Sequence, residues 1–355
     1  MESPDQEVSN QEMKIAVIGA GAIGGICAAL IQKAGYDVQV VVRREEHAKA
    51  IREKGIRVSG IRGEFTAQMD AVHGVAAMKP DRNLVFLGVK ATALDAVAKD
   101  LKLVLGTRTM VVSLQNGFCE EALAQVLGRE RVIGCVTSWG ATLHTDTDLE
   151  MTSTGDFIVG NIGKPADSPA GNPKDPSLVQ VQQVLNHVLE TKISHNITGS
   201  LYSKLIINSC ITSVGAVCGL YLGQMLAIKH VRQIFVKIME EAMAVAAAME
   251  IDVEVFAGKL NYYTYLGSKG FLADLKRNLF LRVLGFKYKK LKSSSLQSLE
   301  RGQKTEIDYL TGFITGNGKK FNIPTPVNDQ IIAMVKEIEA GQRTISPANL
   351  DQIQL

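Results

Sequence analysis

The chain has 355 residues, of which 46% are hydrophobic and 21% charged, with a formal net charge of +3. That length exceeds what a single hydrophobic core ordinarily organises and points to two domains. The composition excludes a disordered or fibrous chain, and the near balance of charge gives no support to nucleic-acid binding.

Residues 1–12, MESPDQEVSNQE, hold acidic residues, no Lys or Arg and no apolar run, so they read as a flexible tail and not a secretory signal. From Met13 the stretch MKIAVIGAGAIGGICAALIQKAGYDVQVVVRR runs through an apolar segment, a glycine cluster, a helix-period segment and a second apolar segment. This is the pattern of a βαβ unit. RNLVFLGVKA, TRTMVVSLQNG and ERVIGCVTSWGA follow as further apolar runs, separated by the helical patterns ALDAVAKDLKLVL and CEEALAQVLG. Strands alternating with helices imply a parallel sheet covered on both faces. Residues 141–163 alternate polar and apolar positions and predict an antiparallel extension, and KPADSPAGNPKDPS reads as a surface loop.

After about Thr198 the pattern turns helical, with helices predicted over 199–227, 229–250, 253–267 and 298–318. The fold class predicted is therefore an α/β Rossmann-type dinucleotide-binding domain over 13–197 followed by an all-α C-terminal domain over 198–355. Leu205 to Ile228 is uncharged and carries Gly215, Gly219 and Gly223 at the four-residue spacing of paired membrane helices. Asn208, Ser209, Thr212, Ser213 and Gln224 interrupt it, so a buried helix in close approach to another backbone is expected, with no membrane span. Lys276 to Lys292 is basic, has no acidic residue and interleaves Leu, Phe and Tyr. The expectation there is a helix whose apolar stripe packs on its own domain while its lysines face water; the alternative is a site for a membrane or an acidic partner. The five cysteines, Cys27, Cys119, Cys135, Cys210 and Cys218, are odd in number, widely spread and mostly set in apolar runs, which suits unpaired buried thiols in a cytoplasmic protein.

The glycine cluster carries the cofactor reading. Gly19, Gly21 and Gly24, with Ala20, Ala22 and Ile23 between them, form G-x-G-x-x-G directly after a strand and open a helix. Gly19 permits the tight turn, Gly21 lets backbone approach a pyrophosphate, Gly24 lets helix and strand lie close, and the helix N-terminus faces the anion. Where an NAD-binding chain would present a carboxylate to the ribose, the second strand ends in Arg43 and Arg44, favouring NADP(H) through a guanidinium on the 2′-phosphate. Glu45 and Glu46 follow at once, and a one-residue shift of the strand end would present an acid instead. Lys90 in VKA and Gln115 and Asn116 in LQNG fall at predicted carboxyl ends of strands, where ligands of open α/β sheets collect.

For the chemistry, Lys204, Asn208 and Thr212 recur at i, i+4 and i+8 of one predicted helix. A lysine beside a substrate can protonate a carbonyl oxygen and attract a carboxylate, with the asparagine one turn on as a hydrogen-bonding partner. The plain alternative is a lysine snorkelling at a helix end. No histidine pair or Cys-x-x-Cys has metal-ligand spacing, so no metal is expected, and no Gly-x-Ser-x-Gly or phosphate-loop sequence supports acyl or phosphoryl transfer.

Taken in order, the glycine motif, Arg43, VKA, LQNG, SKLIIN and SSSLQSLERGQKTEIDYLTGF span most of the chain and resemble the ketopantoate reductase family. The resemblance implies a Rossmann domain joined to a helical domain, with NADPH in the cleft, and reduction of 2-dehydropantoate, a 2-oxo acid, in pantothenate biosynthesis. It implies that Lys204 is the general acid, with Glu306 near it and the nicotinamide ribose. Asn208, Thr212 and Ser294 match substrate-binding positions, and Gly19 to Gly24, Lys90, Asn116 and Ala141 match cofactor-binding ones. Thr212 and, by counting, Leu222 stand where the family commonly has asparagines, and residues 268–292 include extra sequence. Those departures keep open another 2-oxo acid or an imine as substrate. A non-catalytic NADP-binding regulator is the rival of a different class, and homodimer formation is left open.

Overall fold

The computed structural model describes residues 13–162 and 175–355, so the predicted tail and most of the predicted surface loop lie outside the described residues. The chain divides into two compact units, Met1–Ile197 and Thr198–Leu355.

In the first unit β1 (Lys14–Ile18), α1 (Ala22–Lys33) and β2 (Asp37–Val42) form the opening βαβ. Ile15, Ala16 and Val17 are fully buried, the signature of a parallel strand covered on both faces. The chain continues through α2 (Glu45–Lys54), β3 (Ile56–Gly60), β4 (Phe65–Ala67), β5 (Asp70–His73), β6 (Leu84–Leu87), α3 (Leu94–Val104), β7 (Met110–Ser113), α4 (Glu120–Leu127) and β8 (Val132–Thr137). Then come β9 (Ala141–Thr145), β10 (Asp148–Met151), β11 (Phe157–Asn161), α5 (Pro176–Asn186) and β12 (Thr191–Ile193). The main sheet has the order β12-β11-β8-β7-β6-β1-β2-β5. Strands β5 through β8 in that order are parallel, whereas β11 runs antiparallel to β8. Because β1 lies between β2 and β6, the winding direction reverses beside it, which opens a crevice at the carboxyl ends of β1 and β6.

The predicted antiparallel extension divides in two. Its second half, β11, joins the main sheet; β9 and β10 pair instead with β3 and β4 in a separate sheet of order β4-β3-β10-β9. Leu149 and Met151, alternate residues of β10, are fully buried, and Leu149 reaches to within 2.5 Å of where a Gly25 Cβ would stand. The small sheet thus covers the outer face of α1, which period-2 patterning alone does not distinguish from joining the larger sheet.

The second unit contains α6 (Ile197–Asn208, starting one residue before the boundary), a π turn (Ser209–Ser213), α7 (Val214–Cys218), α8 (Leu222–Ala227) and α9 (Lys229–Ala248). After these come α10 (Tyr262–Gly267), α11 (Phe271–Lys287), α12 (Ser294–Glu300), α13 (Thr311–Lys320) and α14 (Pro326–Glu339). Three predicted helices are broken, each for an identifiable reason. The 199–227 segment stops at Gly219, which takes φ 74°, a left-handed helix cap. Within 253–267 only α10 is helical, because Ala257 and Gly258 have φ of 49° and 66° and a Phe256–Leu260 bridge forms. The 298–318 segment parts around Glu306 because the Thr305 amide and hydroxyl both donate to the Glu339 carboxylate, at 2.7 and 2.6 Å.

The face of α9 made by Val231, Ile234, Phe235, Ile238, Ala242 and Val245 is buried, at helical spacing. Glu241 lies on it as well, and its carboxylate accepts from Val327 N (2.9 Å), Asn328 N (3.0 Å) and Asn328 Nδ2 (2.7 Å). A buried negative charge is thereby set on the open N–H groups at the start of α14, with Pro326 at the position that needs no donor. The continuous segment Ile197–Cys218 is long and apolar enough to cross a membrane, yet 83% of its apolar window is buried in the protein. Its glycines serve close approach: a Cβ at Gly215 would meet Ser293 Cβ at 2.6 Å, and one at Gly223 would meet Lys289 Cα at 2.7 Å. All five cysteines are buried thiols outside any disulfide. Burial, with Cys135 nearby, pushes the Cys27 thiol pKa far up, burial does the same for Cys210, and it raises Cys218 to about 11.

The basic segment departs from expectation. It is helical in α11, and Leu281 and Gly285 pack inward, but Leu272, Leu275, Leu279, Val283 and Phe286 stand 56–81% exposed.

Two alanine substitutions should move stability in opposite directions. A Cβ at Gly24 would fall 2.1 Å from Gly19 O, backbone that cannot swing aside, so Gly24→Ala should cost about 1–3 kcal/mol or more. Gly316 lies inside α13 with nothing within 4 Å of its Cβ position, so Gly316→Ala should gain about 0.5–1 kcal/mol. Urea unfolding of the two variants measures both signs.

Candidate functional site

In the first unit the carboxyl edge of the sheet gathers most of the residues singled out from the sequence. Gly19 follows β1 with φ 95°, a conformation open to glycine, and donates its amide to Val41 O at 2.8 Å. Gly24 lies against Gly19 as described, and Gly88, just past β6, closes the cluster: its Cβ would fall 2.8 Å from Gly19 O and 2.9 Å from Gly24 Cα. Three backbone segments thus pack without side chains between them. Gly21 differs, since a Cβ there would meet nothing nearer than Gly88 O at 3.9 Å. The space in front of it is open, and Gly21 caps α1 without any side-chain hydrogen bond. A helix N-terminus left so, behind a bare glycine, has the geometry and partial positive charge that suit a pyrophosphate. The residues present therefore fit a dinucleotide.

The end of β2 resolves the ambiguity among its charged neighbours. The strand closes at Val42, and Arg43 is exposed immediately beyond it, with no hydrogen bond or ion pair among the described residues. Arg44 is drawn to Asp146 at 2.6 Å, while Glu45 opens α2 and pairs with Arg52 at 2.7 Å. The Arg52 hydrogen bond holds the Glu45 carboxyl below its usual range. Lys90 stands exposed three residues past β6, and Asn116 is half-buried three residues past β7. Ala141 is set apart from these: it opens β9 in the small sheet, opposite Met151.

One residue at this edge, Gly88, is outside the motifs that carried the cofactor reading, and another, Gln115, belongs to LQNG. Gly88 leaves a signal only as a glycine placed before VKA. Gln115 is buried, accepts from Ser113 Oγ at 3.4 Å through its side-chain oxygen, and leaves its Nε2 without a partner among the described residues. A buried amide donor without an acceptor at a strand end is costly in isolation and marks a position where a ligand could accept.

In the second unit, Lys204 and Asn208 are partly exposed residues one turn apart on a helix whose neighbours Tyr202, Ser203, Leu205, Ile206 and Ile207 are buried. Two tyrosines fix the rotation of that helix. Tyr202 donates to Ala242 O at 2.9 Å, and Tyr262 donates to Ser203 O at 2.7 Å. Burial raises the pKa of both phenols, so they remain protonated donors.

The predicted i, i+4, i+8 face ends at Asn208. The π turn follows directly, and Thr212 within it is buried. A π turn widens the helix by one residue and leaves carbonyls to be satisfied from elsewhere. Here Ser293 Oγ donates to Thr212 O at 2.7 Å and also accepts from Leu296 N at 3.1 Å as the cap of α12. A second link joins Ser213 Oγ to Thr311 Oγ1 at 2.7 Å. Ser294, exposed at the start of α12, and Glu306, half-buried five residues before Thr311, are thus carried on segments pinned to the widened turn of the lysine helix. The roles of Ser293, Ser213, Thr311 and Glu339 are not legible in the sequence, because holding neighbours in place is something no motif spacing encodes. Leu222 is buried at the start of α8, with its amide donating to Leu291 O at 2.9 Å. Among the described residues no group of His, Cys, Asp or Glu could hold a metal ion.

The family models that match are "Ketopantoate reductase PanE/ApbA" over residues 15–164 and "Ketopantoate reductase PanE/ApbA C terminal" over residues 196–339. A 2-dehydropantoate 2-reductase of Pyrococcus abyssi is 29% identical over 330 residues, covering 92% of this chain and 98% of the relative. Among solved structures, a PanE/ApbA family ketopantoate reductase from Ralstonia eutropha JMP134 has a TM-score of 0.77 at 24% identity, covering 94% of this chain and 100% of its own. D-mandelate dehydrogenase, solved with NADH and anilino(oxo)acetate, has a TM-score of 0.78 at 21% identity, covering 94% and 100% of the two chains. Those two likenesses speak to the fold.

Removing the pin at the widened turn should be measurable. Ser293→Ala loses a helix cap and leaves Thr212 O short of a donor, and it should destabilise the protein by about 1–3 kcal/mol in urea unfolding.

Proposed function

The chain belongs to the ketopantoate reductase family, a family of oxidoreductases, and from that membership we propose that it reduces a 2-oxo acid with NADPH, 2-dehydropantoate being the first candidate. The observation that carries the reading is the pair Lys204 and Asn208, partly exposed on an otherwise buried helix and followed at once by a π turn pinned to the segment bearing Ser294. Such turns interrupt helices frequently at functional sites.

A bound reduced nicotinamide supplies the hydride. The residues of the chain supply the rest. The Gly19 to Gly24 turn and the first-turn amides of α1 hold the pyrophosphate, Arg43 takes the ribose 2′-phosphate, and Lys90, Asn116 and Ala141 complete the cofactor contacts. The Lys204 ammonium faces the oxo oxygen, stabilises the negative charge that develops there and donates a proton to it. Asn208 and Ser294 hold the substrate by hydrogen bonds, with Thr212 as a third contact through its hydroxyl. Glu306 orients the lysine. A different 2-oxo acid is the second reading: Thr212 and Leu222 are both buried, and neither offers the reach of an amide to a substrate hydroxyl.

The cofactor choice rests on Arg43. D-mandelate dehydrogenase was solved with NADH, so the preference is worth measuring directly. Arg43→Ala should weaken NADPH binding by about 1–3 kcal/mol and leave NADH nearly unchanged; equal affinity of the unmodified protein for both cofactors overturns the assignment. For the reaction, NADPH oxidation is followed by absorbance across a panel of 2-oxo acids. Lys204→Ala should lower kcat by about two to four orders of magnitude while NADPH still binds. Undiminished turnover would make Lys204 a partly exposed lysine with no part in the chemistry.

A further inference from the structure

Helix α11 (Phe271–Lys287) has two faces with different fates. Its inner face is fully engaged. Leu281 is 1% exposed, and Gly285 packs against Leu226, where an added Cβ would stand 2.7 Å from the leucine Cβ. Arg277 donates to Tyr265 O at 3.4 Å and Leu266 O at 3.2 Å, and Tyr265 Oη donates back to Arg277 O at 3.3 Å. The buried Arg232 donates to Asn278 Oδ1 at 2.9 Å and to the carbonyls of Leu226 and Ala227 at 2.8 and 2.9 Å, locking α11 to the end of α8. The helix is therefore held in a fixed orientation by one side only.

On the other side Leu272, Leu275, Leu279, Val283 and Phe286 are 70%, 56%, 61%, 60% and 81% exposed. At 3.6 residues per turn they fall within an arc of roughly 80° and run about 21 Å along the axis. Lys276 and Lys287 border that arc on one flank and Arg282 on the other, by the same spacing. All three are exposed, and just beyond the helix Lys289 and Lys290 are exposed with them. The Lys289 ammonium lies 6.0 Å from the Phe286 ring centroid, cation and apolar edge side by side. The acidic residue of this helix, Asp274, is paired with Arg277 at 2.6 Å and lies toward the inner face.

We propose that the outer face of α11 is a docking surface for an anionic lipid bilayer, on which the helix lies parallel to the membrane plane with its apolar stripe below the headgroups. An apolar stripe bordered on both flanks by long cationic side chains lets the stems follow the stripe inward while the charges remain at headgroup level. A second copy of the chain is a poor occupant. Pairing this face with itself would set its cationic flanks against each other with no acid on the face to offset them, and like charges directly opposed are destabilising. Anionic headgroups supply the complementary charge along the whole length. This surface is independent of the proposed reaction, and none of its residues is placed in the catalytic or cofactor-binding machinery.

The test is co-sedimentation of the full-length protein with phosphatidylcholine vesicles and with vesicles of equimolar phosphatidylcholine and phosphatidylglycerol. Binding is expected on the anionic vesicles, weakly or not at all on the neutral ones, and it should fall as salt is added. Lys276→Glu with Arg282→Glu should lower the partition coefficient at least tenfold, since each cation near an anionic surface contributes about fivefold. Leu279→Ser with Phe286→Ser should lower it comparably, with thermal unfolding and NADPH oxidation unchanged because these side chains are already in water. Failure to sediment with anionic vesicles at low salt overturns the proposal. So does a light-scattering mass of a dimer that the serine variant converts to monomer, which assigns the stripe to a second copy. Binding to soluble polyglutamate as tight as to anionic vesicles, and indifferent to the serine variant, overturns it too, because the stripe would then play no part.

Discussion

Both units depend on backbone segments that approach one another more closely than any side chain would allow. In the first, Gly19, Gly24 and Gly88 bring the turn after β1, the first turn of α1 and the loop after β6 into mutual contact. In the second, Gly215 admits Ser293, and Gly223 admits the backbone at Lys289. Interiors pack at the density of organic crystals, so a methyl group added at such a crossing must displace main chain and not merely a flexible side chain. The consequence for the site is positional. The open N-terminus of α1 is held against the sheet by the contacts at Gly24 and Gly88, and the π turn is held against the α12 segment because Gly215 leaves room for the Ser293 hydroxyl to reach Thr212 O.

Charge is distributed by the same economy of neighbours. Arg44 and Glu45, just past the second strand end, are each paired with an opposite charge, which leaves Arg43 as the cation there without an ion pair among the described residues. Glu241 illustrates the reverse arrangement. Its carboxylate is buried and answered by three N–H donors at the start of α14, so the charge sits in a field set by main-chain dipoles rather than against a basic side chain.

What the sequence revealed and what it concealed follow from the range of the interactions. The glycine turn, the parallel strands β1, β2, β6, β7 and β8, and the placement of Arg43, Lys90 and Asn116 after strand ends were legible because local pattern and strand direction determine them. The small sheet was not, since β10 pairs with β3 across roughly ninety residues, a separation that no periodicity reports. The helical breaks lie between these extremes. Gly219 could have been read as a helix stop, but the loop around Glu306 depends on Thr305 reaching Glu339, and the widened turn after Asn208 depends on Ser293. The helical character of the basic segment is legible in its sequence, but the apolar stripe expected to pack on its own domain is exposed, because composition does not say which of two apolar lines turns inward; the contacts of Leu281 and Gly285 decide that.

The five buried thiols have a consequence for how the molecule's motions can be timed. Cys27, Cys119 and Cys135 belong to the first unit, Cys210 and Cys218 to the second, and all five are buried thiols outside any disulfide. An alkylating reagent can reach them only in conformations that have opened, because the reactive form is the thiolate in contact with water. Each unit consequently carries its own internal chronometer. The rate at which its cysteines are modified in the native protein reports how often that unit breathes, and the free-energy scale of local opening converts the two rates into separate stabilities from a single labelling experiment.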